Sequence, residues 1–361
     1  MLTQIAGWDN LMLAYQHAAK GKRGRPEVAS FEHRLEDNLA CLRWELLNRD
    51  YRPGCYRSFY IHDPKHRLIS AAPFRDRVVH HALCNIIEPI FERGFIRDSY
   101  ANRVGKGTHR AIDRAQQFSR RFSHALQLDV RQFFPSIDHE ILRGFLNRKI
   151  QDEGLLWLID LVLKSGEDVL ADEYRMVYFP GDDLFSATRP RGLPIGNLTS
   201  QFWGNVYLDA FDHFIKRELS CGGYVRYVDD LLVFGDDKGQ LWDNLHRINQ
   251  RISTLRLSLH KGAHPRPVTE GLPFLGFVVF PDHRRLKRRK GVQFQRKLRE
   301  SVKLWEAGLL DSDSLVASIE AWVNHVRYGN TAGLSMSVLG GLPGELLAMI
   351  GGLDCIQVNN R

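Results

Sequence analysis

The sequence predicts an α+β fold in which a centre of short strands is flanked by helical lobes. Two observations carry this prediction: strand-like and helix-like segments alternate along the chain, and no glycine-rich phosphate loop is present. With 361 residues, the chain is long enough for roughly two or three compact domains. Its 43% hydrophobic and 25% charged residues are ordinary globular values, which argue against a disordered or fibrous chain.

Apolar residues at three-to-four spacing predict helices, and short β-rich runs between turn residues predict strands. Ser30 is expected to cap the second helix. The predicted helices cover residues 8–19, 30–48, 75–90, 109–122, 139–150, 155–164, 199–219 and 240–255. The predicted strands cover residues 56–61, 67–70, 125–130, 175–179, 224–228 and 231–234, with a last pair around 274–280. A strongly basic stretch, residues 284–299, and a helical tail follow the last strands.

Composition also narrows the setting in which the protein works. No apolar run approaches the roughly 20 residues that span a bilayer, and residues 1–16 lack the pattern of a signal peptide, so we expect a cytoplasmic protein with no membrane contact. The five cysteines are scattered without a CxxC pair, which suits a reducing compartment and gives no zinc site. A formal net charge of +8 favours a polyanionic partner.

The sharpest local signal is a pair of acids, Asp229 and Asp230, between two short apolar strands. Adjacent carboxylates at the tip of such a hairpin repel each other, and a divalent cation would relieve the repulsion. Asp129, near the end of another strand, could add a third carboxylate, since Mg²⁺ prefers a few carboxylates plus substrate phosphates. The alternative is a solvated turn, as expected for the acid pairs 182–183 and 236–237, which lie beside glycine without an apolar frame.

Three segments, in this order, resemble motifs of reverse transcriptases. Residues 128–139 resemble the first catalytic motif of bacterial forms, residues 191–201 the template- and nucleotide-contacting motif, and residues 227–230 the tyrosine-x-aspartate-aspartate motif. The resemblance covers roughly residues 30–300 and implies a right-hand polymerase fold with fingers, palm and helical thumb. The implied parts are an N-terminal helical extension (1–29), fingers (30–124), a palm with inserted fingers and helical segments (125–281), and a basic thumb with a C-terminal tail (282–361).

The resemblance also implies an RNA-directed DNA polymerase that uses two Mg²⁺ ions, for which Mn²⁺ could substitute. Asp129 and Asp229 would be the principal metal ligands, Asp230 would complete the acidic cluster, and Val130 would lend its backbone carbonyl. Such a site activates the 3′ hydroxyl of the primer and stabilises the leaving pyrophosphate. Phe134 falls where the family places its steric gate against the nucleotide 2′ hydroxyl. The alternative is that Phe133 and Phe134 are both core residues, and at least one of them is expected to be.

Basic side chains of the implied fingers are expected to hold the incoming deoxynucleoside triphosphate, because ammonium and guanidinium groups bind phosphates. The candidates are Lys65, Arg67 and Arg75, for which Arg77 or Arg103 could substitute. Each of them could also be a solvated surface charge. Lys261 is a candidate proton donor to the leaving pyrophosphate, a role in which general-acid help is ordinary chemistry.

The middle motif departs from the family pattern at Ile195, since most reverse transcriptases have Gln-Gly where this chain has Ile195-Gly196. That Gln ordinarily packs against the bound nucleotide and makes hydrogen bonds, whereas isoleucine cannot, so we expect poorer fidelity. Together with Ser200-Gln201, the motif resembles the reverse transcriptases of diversity-generating retroelements. Those enzymes copy a template-repeat RNA with errors opposite adenine, and the cDNA replaces a variable region of a target gene. Ile195 could instead be a neutral apolar residue of another bacterial lineage.

A dense basic run is expected to bind template and primer phosphates where the thumb would begin. The run consists of Arg284, Arg285, Lys287, Arg288, Arg289 and Lys290. The resemblance further implies a small basic accessory protein that helps bind the template RNA. Trp322, Val323, Val326 and Tyr328 could belong to its docking surface or to the thumb core.

Two alternatives to the retroelement enzyme stay open. One is a retron-like or phage-defence reverse transcriptase, which would have the same chemistry in a different genomic setting. The other is an inactive RNA-binding scaffold, which is disfavoured because a scaffold has no reason to keep Asp129, Asp229 and Asp230 together.

Overall fold

The computed structural model describes residues 1–62 and 66–350. The α-helices of this part are α1 (Leu2–Ile5), α2 (Trp8–Ala19), α3 (Pro26–His33), α4 (Leu35–Leu47), α5 (Phe74–Glu92), α6 (Thr108–Arg121), α7 (Phe133–Ser136), α8 (His139–Asn147), α9 (Glu153–Ser165), α10 (Leu198–His213), α11 (Lys238–Ser253), α12 (Arg288–Glu306), α13 (Ser312–Val326), α14 (Ala332–Leu339) and α15 (Gly344–Met349). Among these helices, none combines the length and apolar character that crossing a bilayer would need.

The strands of the described residues form three antiparallel sheets. The strands are β1 (Arg57–Ile61), β2 (Arg67–Ala71), β3 (His124–Asp129), β4 (Gly223–Tyr227), β5 (Asp230–Gly235), β6 (Pro265–Pro267), β7 (Leu272–Phe274), β8 (Phe277–Val279) and β9 (Arg284–Leu286). β1 pairs with β2, the central sheet has the order β4-β5-β3-β6, and the last sheet has the order β7-β8-β9. The predicted hairpin and the strand that ends at Asp129 are therefore neighbours.

The central sheet is buried on both faces because its strands are apolar at successive positions. Leu231 and Val233 of β5 join a large core with α2, α5, α8, α9, α10 and α11. Leu232 and Phe234 point the other way, into a smaller core with α6, β7 and β8. A third core lies among α12 to α15. The sheet is thus packed between two layers, and this packing holds the backbone of the acids at its end in place.

The N-terminal helices pack on the same core as the rest. Helix α2 lies along α5, and its Leu11 and Ala14 are fully buried in the large core. The single helix predicted over residues 30–48 is wrong: the chain forms α3 and α4, which separate at Arg34, where φ is −125° and ψ is 48°. Helix α3 also begins before Ser30, at Pro26, because proline is preorganised for the first helical turn.

Two further predictions about elements need correction. Residues 175–179 form no strand; side chains hold this region, since Asp182 accepts a hydrogen bond from Arg256 Nη1 at 3.0 Å and the Arg191 guanidinium lies 4.6 Å from the Tyr174 ring centroid. The prediction that the basic run follows the last strand is also wrong. Its first residues, Arg284–Leu286, form strand β9, which pairs with β8, and helix α12 begins only at Arg288.

Candidate active site

Antiparallel pairing brings the three predicted acids to one end of the central sheet. Asp129 is the last residue of β3, and it lies opposite Asp230, the first residue of β5. Asp229 occupies the turn between β4 and β5, directly after Val228, whose φ is +55°. A β-branched residue in this left-handed region carries about 1–3 kcal/mol of backbone strain, and it stays there only because its surroundings hold it. The turn is therefore a strained feature at the functional end of the sheet.

Backbone hydrogen bonds tie this turn to the neighbouring segments. The Val130 N–H donates to the Asp229 carbonyl at 3.3 Å, and the His260 N–H donates to the Asp129 carbonyl at 2.9 Å. His260 Nε2 also lies 4.0 Å from Asp129 Oδ2. His260 was not predicted; its position next to Lys261 was the only signal in the sequence. Lys261 itself is exposed and does not line the cleft.

A buried ion pair lies beneath the turn. Arg226 of β4 is 1% exposed and Asp212 of α10 is 0% exposed, and two guanidinium nitrogens contact both carboxylate oxygens at 2.7–2.9 Å. Burial opposes the charge on Arg226, but Asp212 outweighs it and raises the pKa of the guanidinium above its ordinary value. Arg226 Nη1 also donates to the Val228 carbonyl at 3.3 Å. This ion pair was not predicted, because Arg226 and Asp212 lie in different secondary-structure elements.

The acids open into a cleft of about 1220 Å³. Its walls bring together residues that are far apart in the chain. They include Asp129, Val130, Asp229, Asp230, Arg67, Phe134, Ile195, His260, Lys287, Lys290 and Lys297. A cleft of this size with acids at its base and cations on its walls can accept a phosphate-bearing substrate.

Phe133 and Phe134 have different surroundings. Phe133 is 3% exposed and belongs to the large core, whereas Phe134 is partly buried and packs against that core. Both residues line the cleft, with 5.2 Å between the ring centroids. The Leu193 N–H donates to the Phe134 carbonyl at 3.0 Å, so the segment after Asp129 is bonded to the middle motif. Phe134 therefore lies on the wall of the cleft that holds the acids, and its role as a steric gate stays a prediction.

The loop that carries Ile195 is fastened to β2. The Ser70 N–H donates to the Ile195 carbonyl at 2.8 Å, and Gly196 has φ +114° and lies so close to β2 that an added Cβ would come 3.0 Å from Ile69 Cγ2. The buried amide of Asn197 bonds Ser70 and Ala72. These contacts hold the backbone at Ile195, which lines the cleft. Asn197 lies within the predicted middle motif, but its bonds to Ser70 and Ala72 were not predictable, because these residues lie far away in the chain.

The candidate triphosphate ligands are not all near the cleft. Arg67 is exposed and lines it, and Lys65 lies outside the described residues. Arg75 does not line the cleft, because it is ion-paired with Glu45 and lies over the Tyr51 ring. The substitutes are also engaged: Arg77 pairs with Glu27, and Arg103 pairs with Glu92. Of the described candidates, Arg67 alone meets the cleft.

The basic run divides into residues with different surroundings. Lys287 and Lys290 line the cleft, whereas Arg288 and Arg289 are exposed and do not. Arg284 is a structural link, since it donates to Asp113 at 2.7 Å and to Gln116 at 2.9 Å, both in α6. The guanidinium of Arg285 lies 5.4 Å from the Phe280 ring centroid.

The apolar residues considered for partner docking are mostly internal. Trp322 is 9% exposed and Val326 is fully buried in the third core, against which Val323 also packs. The Tyr328 ring stacks on His109 of α6, with 3.6 Å between the ring centroids. These residues pack among α12 to α15 and against α6, and Trp322 also lines the cleft. Their assignment to a thumb stays a prediction.

Residues 61–278 match the family described as "Reverse transcriptase (RNA-dependent DNA polymerase)", which is more than half of the chain. The chain belongs to the reverse transcriptase family. It is accordingly an RNA-directed DNA polymerase with the right-hand fold, and its family implies an RNA template and nucleotide substrates. The domain limits and the roles of single residues given above stay predictions.

Several relatives are proteins linked to introns. This reverse transcriptase is 26% identical over 299 residues to Protein YkfC of Escherichia coli, covering 71% of this chain and 73% of that protein. It is 28% identical over 189 residues to the Group II intron-encoded protein LtrA of Lactococcus lactis, covering 50% of this chain but only 29% of LtrA. A solved telomerase from Candida albicans is 11% identical, covering 84% of this chain and 62% of the telomerase chain, with a TM-score of 0.45.

The acids of this reverse transcriptase offer hard oxygen ligands of the kind that Mg²⁺ prefers. Across residues 1–62 and 66–350, no three His, Cys, Asp or Glu side chains are arranged as a complete metal site. Asp129, Asp229 and Asp230 fit this ion by the chemistry of their carboxylates alone, and their role as metal ligands stays a prediction.

Proposed function

We propose that this reverse transcriptase synthesises error-prone cDNA from a template RNA, with two Mg²⁺ ions held by Asp129, Asp229, Asp230 and the Val130 carbonyl. The supporting observation is the meeting of all three acids with Ile195 in one cleft. Bound Mg²⁺ supplies Lewis-acid stabilisation of the 3′ oxygen and of the pyrophosphate, and Mn²⁺ can replace it.

The chain's own residues divide the remaining tasks. Arg67, exposed on the cleft wall, binds the triphosphate, and Phe134 excludes a nucleotide 2′ hydroxyl by its bulk. Lys290 and Lys297 bind backbone phosphates of the template–primer hybrid. His260 is better placed than Lys261 to exchange a proton near Asp129, because it lines the cleft and Lys261 does not.

Ile195 is the specific support for low fidelity. Its backbone is held by Ser70, so the apolar side chain stands at the cleft wall where most of the family has an amide. Base selection then depends on base-pair geometry with less help from polar protein contacts. With the Ser200-Gln201 departure, this supports a role in a diversity-generating retroelement, working with a small basic accessory protein.

A second candidate function is favoured by the relatives. LtrA is named as a group II intron-encoded protein, and Nuclear intron maturase 1 of Arabidopsis thaliana is 31% identical over 119 residues, covering 33% of this chain and 16% of that protein. An intron-associated or retron-like enzyme would share the site but copy RNA accurately.

Primer extension by the purified protein, with an RNA template, Mg²⁺ and four deoxynucleotides, tests the proposal. Errors concentrated opposite template adenines would support the retroelement role, and accurate cDNA would support the second candidate. Continued absence of synthesis after addition of native RNA and an accessory protein would leave only the RNA-binding scaffold. Asp229→Ala serves as the inactive control.

A further inference from the structure

Arg226 is a charged side chain at the centre of a packed domain. It is 1% exposed, its Nε donates to both oxygens of Asp212 at 2.8 and 2.9 Å, and its Nη2 donates to Asp212 Oδ2 at 2.7 Å. The Tyr224 hydroxyl donates to the same carboxylate at 2.7 Å. Buried ion pairs contribute little net stability, because the loss of hydration offsets the attraction between the charges. A contribution to folding stability therefore does not explain why a charged pair lies at this buried position.

The third nitrogen of the guanidinium reaches the strained turn. Nη1 donates to the Val228 carbonyl at 3.3 Å and to Asn205 Oδ1 at 3.0 Å. That carbonyl belongs to the peptide bond that enters Asp229. Because Val228 has φ +55°, its backbone would relax toward a more favourable conformation without an outside contact.

The peptide bond that leaves Asp229 is anchored as well. Its carbonyl accepts a hydrogen bond from the Val130 N–H at 3.3 Å, one residue beyond Asp129. The two peptide bonds flanking Asp229 are thus held by different elements, one by the end of β3 and the other by the buried guanidinium. The amide of Asn205 is itself fixed, because its Nδ2 donates to the Ala101 carbonyl at 2.9 Å.

We propose that Arg226, oriented by Asp212 and Asn205, is a positioning residue that fixes the Val228–Asp229 peptide and so aims the Asp229 carboxylate at the cleft. The inference rests on the proposed function of Asp229 in metal-assisted nucleotidyl transfer. Arg226 does not line the cleft, since its side chain is buried inside the protein. Its effect on the reaction passes through the backbone of the turn.

The first experiment removes both buried charges. Arg226→Met combined with Asp212→Leu replaces the ion pair with apolar side chains, a change that often preserves folding. We expect normal circular dichroism and a lower melting temperature, because the buried Tyr224 hydroxyl loses its acceptor. The affinity for an RNA–DNA template–primer should be unchanged, and kcat should be about 100-fold lower, as for a misplaced catalytic group. The Mg²⁺ concentration for half-maximal rate should rise. A folded double variant with wild-type kcat and Mg²⁺ dependence would overturn the proposal.

The second experiment keeps the buried charge and tests the turn. Arg226→Lys retains an ion pair with Asp212, but one ammonium group cannot also hold the Val228 carbonyl in the same geometry. We expect kcat to fall and to be partly restored by adding Val228→Gly, because glycine adopts positive φ without strain. An Arg226→Lys variant with wild-type kcat would contradict the positioning role. So would a double variant that is no more active than Arg226→Lys, with Val228→Gly alone measured as the control.

Asp229→Ala, measured in parallel, distinguishes a failure of the proposed function of the acids from a failure of the positioning role of Arg226. If that variant incorporates nucleotides, the proposed function of the acids fails. If it is inactive while the Arg226 variants are folded and fully active, only the positioning role of Arg226 fails.

Discussion

Asp229 is central to the proposed metal site, because it lies in the turn between β4 and β5, directly before Asp230, which pairs with Asp129 across the sheet end. We predict that Asp229→Asn, which keeps the shape and removes the charge, lowers nucleotide incorporation by more than about 100-fold, since the loss of supporting groups around a metal already costs 10- to 100-fold. Rates of primer extension and RNA binding by filter retention measure the two properties separately. RNA binding should persist.

The matched control for this prediction is Asp282→Asn. Asp282 is 83% exposed, its partner His283 is its chain neighbour, and it does not line the cleft. Equal losses of activity in the two variants would mean that Asp229 affects the reaction only through the net charge of the protein and is not a specific ligand in the site.

Ile195 should determine part of the error rate. We predict that Ile195→Gln lowers misincorporation opposite template adenine about fivefold, the equivalent of about 1 kcal/mol from one added hydrogen bond to the nascent pair. Sequencing of cDNA copied from a defined RNA gives the error spectrum. Ile195→Val keeps the apolar character and should leave the spectrum unchanged; a similar drop in errors for both variants would point to side-chain size instead.

At the scale of single residues, the acids could be predicted from the sequence, but the buried polar residues that hold the surrounding backbone could not. Asp129, Asp229 and Asp230 stand in ordered motifs that can be recognised locally. Asn197 and Arg226 are buried polar residues with partners in distant segments, and no local pattern contains those contacts, although Asn197 lies within a recognised motif. Arg75 shows the reverse error, because a basic residue in a plausible position is engaged by Glu45.

Helix α12 has two basic faces, and they should differ in function. Lys290 and Lys297, seven residues apart, line the cleft, whereas Arg296 and Arg299 line a shallow groove elsewhere on the helix surface. We predict that Lys290→Ala with Lys297→Ala weakens binding of a short RNA–DNA hybrid and reduces the slope of log affinity against log salt by about one per lysine. Fluorescence anisotropy across a salt series measures both.

The arginines on the other face provide the matched control for the lysines. Arg296→Ala with Arg299→Ala removes the same formal charge from the same helix, and a short hybrid held in the cleft should bind nearly as before. Equal weakening by both pairs would show that the whole helix acts as a diffuse positive surface, as the basic composition alone suggests.

Elements with a strong internal pattern were predicted well, and elements defined by their partners were not. The apolar runs around Asp229 gave β4 and β5, and α2 is found at the predicted residues. The 175–179 segment has strand-like residues but no neighbouring strand, and β9 pairs with β8 despite its charged sequence. Strand pairing is a property of two segments, which a single stretch of sequence does not contain.

For the whole molecule, α5 is the helix that joins the N-terminal helices to the core, since α1, α2, α3 and α10 all contact it. It carries His80, which is 1% exposed, and His81. Burial lowers the pKa of His80 to about 3 and that of His81 to about 4, with further lowering by nearby cationic and His side chains. Both imidazoles are therefore neutral in the folded protein at neutral pH.

This burial predicts acid sensitivity of the fold. The histidine pKa in the unfolded chain is near 6.5, so below that pH the unfolded state binds protons that the folded state excludes. The free energy of unfolding should be highest above about pH 6.5 and fall as the pH drops toward the folded values, by about 1.4 kcal/mol per pH unit for each histidine. Urea unfolding at a series of pH values measures the slope.

Substitution isolates the contribution of one histidine from that of the carboxylates, which also titrate in acid. His80→Leu removes one of the two buried groups, so its stability should decline less steeply than that of the wild type between about pH 6.5 and pH 4, whatever its stability at neutral pH. His264→Leu, at an exposed position, should keep the wild-type slope. Identical slopes for wild type and His80→Leu would mean that α5 opens to solvent before the rest of the core unfolds, because only a hydrated His80 could then take up its proton without loss of global stability.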